Sequence, residues 1–224
     1  MAMTTEQQRF YDLKHYSAYT EVGGNIDYAV IIDDQNKAVI LQYEESEGYD
    51  PDKPFFHQDW VQNFLFIPWP LKLSGKTVWT TLGYAVAYKS TNDECVNNWL
   101  VECAARPDYK RVIQGYSFGS AMAKVTSRHY KIMTGKKVSD LHTWGDVKCF
   151  LNPFLKASDY AEEAALYCCP NDGVTKCVPF FHRFKGGKRS VGPRFNLFKM
   201  LFHTPDYHAN YDTYDYSKWE KGEK

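Results

Sequence analysis

Apolar positions along this chain change period several times, and those changes outline a fold. Phe10, Leu13 and Tyr16 recur at helical spacing, which predicts a helix over about 5–19. Tyr28-Ala-Val-Ile-Ile32 and Ala38-Val-Ile-Leu-Gln-Tyr43 are apolar runs rich in β-branched residues, separated by the polar turn Asp33–Asn36; they predict a β-hairpin. A short helical segment is expected over 60–64, ahead of Pro68 and Pro70. Thr91-x-x-Glu94 has the form of a capping box. It leads into Val96, Trp99, Leu100 and Cys103, the stripe of an amphipathic helix that stops before Pro107. Tyr109–Gln114 reads as a strand, followed by a glycine-containing turn and a helix to about Met133. Val138–Trp144 and Ala164–Cys168 read as two further strands. Strand–turn–helix units of this kind predict an α/β fold with a mainly parallel central sheet flanked by helices, the N-terminal hairpin lying at one edge. Repeats, low-complexity tracts and Gly/Ser linkers are absent, so one domain over 1–224 is expected.

Composition narrows the function. The chain holds 27 Lys and Arg against 27 Asp and Glu, a formal net charge of zero. That excludes a globally basic nucleic-acid binder, which needs excess positive charge to displace counterions from phosphate. The longest apolar run, Phe64–Leu71, is too short to span a bilayer and is broken by two prolines. The N-terminus lacks the charged-then-apolar layout of a signal peptide. The six cysteines include no C-x-x-C pair, and Cys168 and Cys169 are adjacent. They read as reduced thiols of a cytoplasmic protein, with neither a zinc site nor a disulfide framework.

Gly115-Tyr-Ser117-Phe-Gly119 fits G-x-S-x-G between a predicted strand and a predicted helix, the setting of a nucleophile elbow. Glycines are needed there because the turn is strained and packs against its neighbours. A serine hydroxyl is a weak nucleophile until a base takes its proton, and the base needs an orienting acid. In this arrangement the partners follow in the order Ser, Asp or Glu, His. Asp172, in Pro170-Asn-Asp-Gly-Val174, comes just after a predicted strand, although Asn-Asp-Gly is equally good turn chemistry. Three histidines follow, His182, His203 and His208, and these residues alone leave the base open among them.

Tyr109–Ala123 (YKRVIQGYSFGSAMA) resembles the class 3 lipases, α/β-hydrolases whose elbow typically reads GHSLGGALA after a similar strand. Asp59-Trp60 resembles the family's D-W segment, and Gly83-Tyr84 with Tyr88 its G-F-x-x-x-Y. Thr143-Trp144-Gly145 resembles T-F-G, Asn171-Asp172-x-Val174 resembles N-D-x-V, and His208-Ala-Asn-Tyr211 resembles H-x-x-N-Y. The resemblance runs from about Tyr28 to Tyr211. It implies an α/β-hydrolase fold and a carboxylic ester hydrolase of the lipase and esterase kind. By that resemblance Ser117 is the nucleophile, Asp172 the acid and His208 the base; His203, five residues earlier along the chain, is the alternative base. No metal or cofactor is implied. The oxyanion hole would comprise the N–H of Phe118 and that of Ser46, the counterpart being Tyr43-Glu44-Glu45-Ser46 where the family has F-R-G-[ST]. Tyr116 stands where the elbow usually has His, and Ser120 where it has a second Gly. The altered Ser46 segment gives an alternative: a catalytically inactive hydrolase fold used for binding or structure.

Between the expected acid and base, residues 180–202 carry Arg183, Lys185, Lys188, Arg189, Arg194 and Lys199, no acidic residue and six Phe. The segment reads either as a loop whose Phe residues fill the core while the basic side chains reach water, or as a cap. A cap would meet anionic lipid through attraction of about 1 kcal/mol per basic residue.

Overall fold

The computed structural model describes residues 3–20, 26–44, 66–176 and 178–220. Ser46, Asp59-Trp60 and the helix expected over 60–64 lie outside the described residues.

Helix α1 (Thr5–Lys14) starts at a capping box in which Thr4 and Gln7 exchange hydrogen bonds. It ends earlier than its apolar spacing suggests: Tyr16 and Tyr19 lie beyond it and pack edge-to-face on each other. Strands β1 (Tyr28–Asp33) and β2 (Ala38–Tyr43) form the expected hairpin, paired antiparallel from Tyr28↔Tyr43 to Asp33↔Ala38. The prolines at 68 and 70 are themselves part of a strand. They lie in β3 (Pro68–Leu73), which pairs with β4 (Lys76–Thr81) in a separate two-stranded ladder. A two-stranded ladder has only edges, where a missing N–H is tolerated.

Helix α2 (Leu82–Ala105) begins at the N-cap Thr81, whose hydroxyl accepts from the Tyr84 N–H, and not at Thr91. Thr91 is buried mid-helix and its hydroxyl donates back to Ala87 O, the other use a threonine has in a helix. β5 (Lys110–Tyr116) leads through Ser117 into α3 (Phe118–Thr134), which stops at Gly135 in the left-handed conformation. β6 (Val138–Trp144), β7 (Ala161–Cys168) and β8 (Lys188–Ser190) follow. Short helices α4 (Leu197–Phe202), α5 (Thr204–Ala209) and α6 (Ser217–Glu220) complete the described chain.

Among the described residues the main sheet runs β1-β2-β5-β6-β7-β8, parallel throughout except for the hairpin at its edge. Its two faces bury different chemistry. Val39, Leu41, Ile113, Leu141 and Leu166 face a mainly aliphatic core with Trp99 of α2 and Met122 and Val125 of α3. The opposite face presents Tyr116, Trp144 and Tyr167, an aromatic layer shared with Phe10 and Leu13 of α1 and with Tyr211, Tyr214 and Tyr216. The period of two along each strand causes this division: Ile113 and Tyr116, or Leu141 and Trp144, are an odd number of residues apart. No helix of the described residues is long and apolar enough to cross a membrane.

Candidate active site

Ser117 sits between the end of β5 and the first turn of α3, with φ 54° and ψ −118°. A non-glycine residue reaches that conformation only where its surroundings force it. The surroundings here are backbone. A Cβ on Gly115 would lie 2.2 Å from Gly119 O, and one on Gly119 would lie 2.4 Å from Glu44 O and 2.7 Å from Tyr43 O. The end of β2 therefore presses directly on the elbow. The Ser117 N–H donates to Trp144 O (3.0 Å), and Ser120 Oγ, in place of a second glycine, donates to Ser117 O (2.6 Å). Phe118 is the first residue of α3, so its N–H has no acceptor within the helix.

Two further segments reach this point. Asp172 follows β7 and is fully buried, and His208 lies in α5. His208 Nε2 is 2.7 Å from Ser117 Oγ, and its Nδ1 is 2.7 Å from Asp172 Oδ2. The hydroxyl of Tyr211 donates to the same carboxylate oxygen (2.9 Å). Burial, together with the charge of Asp172, pushes the Tyr211 phenol well above its ordinary range. It therefore stays protonated and acts as a donor. Thr175 closes the acid's turn: its hydroxyl donates to Asp172 O (2.9 Å) and its N–H approaches Oδ1 (3.4 Å).

The imidazole is also held by contact. The Tyr116 ring stacks on it at 5.2 Å and 27°, and the Tyr116 hydroxyl donates to His208 O. Gly145, at φ 55°, leaves the space the ring occupies, since a Cβ there would be 2.8 Å from His208 Cε1. A hydroxyl whose proton faces a base, with the base held by a buried carboxylate, is chemically equipped for nucleophilic attack on a carbonyl.

Ser117, Asp172 and His208 are thus together. His203 is not with them: it lies exposed, with Nδ1 3.3 Å from Asp206 Oδ2. His182 is exposed, its backbone bridging to Phe150. The 180–202 segment divides between both readings. Phe181 and Phe184 are core residues, whereas Phe180, Phe195, Phe198 and Phe202 are exposed. Sequence reasoning gave no role to Tyr116, Gly145 or Tyr211, although all three stand inside the motifs it quoted. It also missed the buried charges Lys124 and Asp146, whose signal was a lysine in the otherwise apolar run Ala121–Val125. The described cysteines, Cys95, Cys103, Cys149, Cys168 and Cys169, are buried, and no disulfide joins them to one another. Among the described residues no three His, Cys, Asp or Glu side chains are grouped to hold a metal ion.

No family model and no curated protein sequence matches the chain. Solved structures do. A triacylglycerol lipase whose catalytic centre is a serine protease triad superposes with a TM-score of 0.60 at 15% identity, over 78% of this chain and 66% of that one. The fold is that of the lipases, an α/β-hydrolase fold. A deletion mutant of the Rhizomucor miehei lipase in its propeptide complex gives a TM-score of 0.59 at 17% identity, covering 78% of this chain and 55% of the lipase. A Yarrowia lipolytica lipase gives 0.55 at 14%, covering 78% and 66%. The chain thus spans only part of the length of these lipases. In this α/β-hydrolase fold the elbow lies at the carboxyl end of β5, the edge of an open α/β sheet where ligands bind.

Proposed function

We propose that this chain is a serine hydrolase that cleaves carboxylic esters, lipid or acylglycerol-like ones in particular, through an acyl-enzyme. The observation that carries this reading is the pair of 2.7 Å contacts through which one imidazole joins a strained elbow serine to a buried carboxylate. Ser117 Oγ attacks the ester carbonyl as its proton passes to His208 Nε2. Asp172, backed by the Tyr211 hydroxyl, fixes the tautomer with hydrogen on Nδ1 and stabilises the imidazolium. The N–H of Phe118, with Ser46 from the chain beyond β2, holds the developing oxyanion. The tetrahedral intermediate collapses and His208 hands the proton to the leaving alcohol. Water activated by the same base then releases the acid.

The reading extends to the surface. Leu197, Phe198, Leu201 and Phe202 are 57–67% exposed, and their spacing puts all four on one side of α4. Arg194 and Lys199 are exposed beside them, and no acidic residue occurs over 180–202. An apolar strip flanked by positive charge fits an anionic lipid surface. The segment then acts as a cap on a single domain, and the buried thiols suit a reducing, cytoplasmic setting.

A panel of p-nitrophenyl esters of increasing chain length, run with the wild type and Ser117→Ala, tests the activity. The expected result is turnover by the wild type alone. Turnover by neither protein would favour an inactive binding fold, a reading that draws on Glu45 and Ser46 standing where the lipases carry Gly and Ser or Thr. For the surface, vesicle binding is expected to rise with anionic lipid content and to fall with salt. Replacing Lys185, Lys188 and Arg189 by Gln is expected to remove the lipid dependence. Equal binding to neutral and anionic vesicles would leave 180–202 a structural loop.

A further inference from the structure

A second polar cluster starts one residue after Gly145, and the proposed chemistry does not use it. Lys124 of α3 and Asp146 are both fully buried, with Nζ 2.6 Å from Oδ1. Lys124 also donates to Val147 O, and the Thr143 hydroxyl donates to Asp146 Oδ1 (3.1 Å). On the other side, Arg183 Nε lies 3.2 Å from Asp146 Oδ2 and donates to Asp146 O (2.6 Å). The same guanidinium reaches on to donate to Thr175 O. Thr175 is the residue that bonds Asp172 through both its hydroxyl and its N–H.

These contacts close a ring. From Ser117 it passes along α3 to Lys124, across to Asp146, through Arg183 to Thr175 and Asp172, and returns by His208 to Ser117. Lys124 lies on the elbow helix, Asp146 follows the Gly145 that leaves room for the imidazole, and Arg183 bonds the Thr175 carbonyl in the turn of Asp172. We propose that Lys124, Asp146 and Arg183 are positioning residues that set the elbow and the acid loop at the spacing the His208 bridge requires. This rests on the serine hydrolase reading above.

The choice of residue type supports it. Burying an ion pair is a poor route to stability, because well-packed apolar side chains of similar volume do as well or better. Apolar contacts are non-directional, however, and a triad needs its groups held to about 0.5 Å. Charge-assisted hydrogen bonds with a forked guanidinium supply that direction. None of the three side chains touches the reacting atoms, so their effect passes through Thr175, Gly145 and α3.

Asp146→Asn alone would strand a buried ammonium and is expected to unfold the protein, so two other variants carry the test. Arg183→Lys keeps the charge but loses the fork that spans Asp146 and Thr175. Lys124→Met/Asp146→Leu removes the buried pair together and keeps an apolar fill. For each, kcat and KM on a small soluble ester are measured alongside thermal unfolding. His208 is also titrated by NMR in the Ser117→Ala background. The groups facing its ring are Asp172, Tyr116 and Tyr211, with Lys176 acting on Asp172 from its own turn. Both variants are expected to fold, to lose roughly 10- to 100-fold in kcat with KM within about twofold, and to change the His208 imidazole NMR signals as Asp172 moves off Nδ1. Folded variants with wild-type kcat and unchanged His208 signals would overturn the assignment. Loss of folding in both would also overturn it, making the ring a stability element. The titration needs no turnover, so failure of the hydrolase reading remains distinguishable: the wild type would cleave no ester while the His208 signals still changed.

Discussion

The stretch between Asp172 and His208 joins two regions built on opposite principles. At its ends, the proposed acid and base are enclosed. Asp172 is fully buried with Tyr211, Thr175 and His208 bonded to it, and the imidazole is gripped by Tyr116 and by the space at Gly145. In its middle, α4 has no buried residue and exposes four large apolar side chains. One region spends its contacts inside the chain, where removing a single partner leaves a buried polar group unsatisfied. The other makes few contacts among the described residues, in keeping with the lipid-facing cap proposed for it. Composition alone hides this contrast, because both regions are aromatic-rich.

The contrast can be broken from either side. The largest effect is expected at the base: His208→Ala should cost several orders of magnitude in kcat, as losses of a triad base do, whereas His203→Ala should stay within about twofold. Equal losses at both positions would dissolve the distinction between an enclosed and a surface histidine. Asp172→Asn keeps the shape of the acid but favours the wrong imidazole tautomer, and a loss on the order of 10⁴ in kcat is expected. Normal turnover by that variant at neutral pH would place the acid elsewhere, Asp206 being the alternative.

Gly145→Ala attacks the grip without touching a triad member. The added methyl meets His208 Cε1 and must adopt a positive φ, so about 100-fold in activity and about 1 kcal/mol of stability should be lost. Activity within twofold of wild type would mean the ring has room to move. The smallest change is expected on α4. Phe198→Ser/Leu201→Ser should alter unfolding free energy by no more than about 0.5 kcal/mol per site while weakening binding to anionic vesicles. A drop of several kcal/mol in a denaturant melt would show that α4 packs against the protein after all.

How far the sequence reached follows the same division. The elbow was legible because a strained turn between strand and helix demands glycines at fixed offsets, and Gly115 and Gly119 meet backbone where those offsets predict. The parallel strands β2, β5, β6 and β7 were legible from short apolar runs, whereas β8, the polar Lys188-Arg-Ser190, was not read. The placing of Asp172 beside the elbow was legible from its position after β7, and that of His208 only through H-x-x-N-Y. The β3–β4 ladder was not read, since Pro68 and Pro70 signal a break unless their strand is known to lie at an edge. The start of α2 was misplaced because Thr-x-x-Glu at 91–94 has the form of a cap, while Thr81 lacks the acidic partner three residues on. Lys124 shows why buried polar networks escape sequence reading. The residue stands out in an apolar run, but Asp146 and Arg183 are far along the chain, and only the folded sheet brings them to it.

The central claim is that Ser117 is an activated nucleophile, and covalent labelling tests it without assuming a substrate. A fluorophosphonate probe reacts with a serine only when a base removes the proton and the phosphoryl oxygen is accommodated. Incubation with the probe followed by peptide mass mapping should place one adduct on Ser117, absent in Ser117→Ala and nearly absent in His208→Ala. An unlabelled Ser117 in folded protein, or an adduct on another residue that persists in Ser117→Ala, would contradict the account.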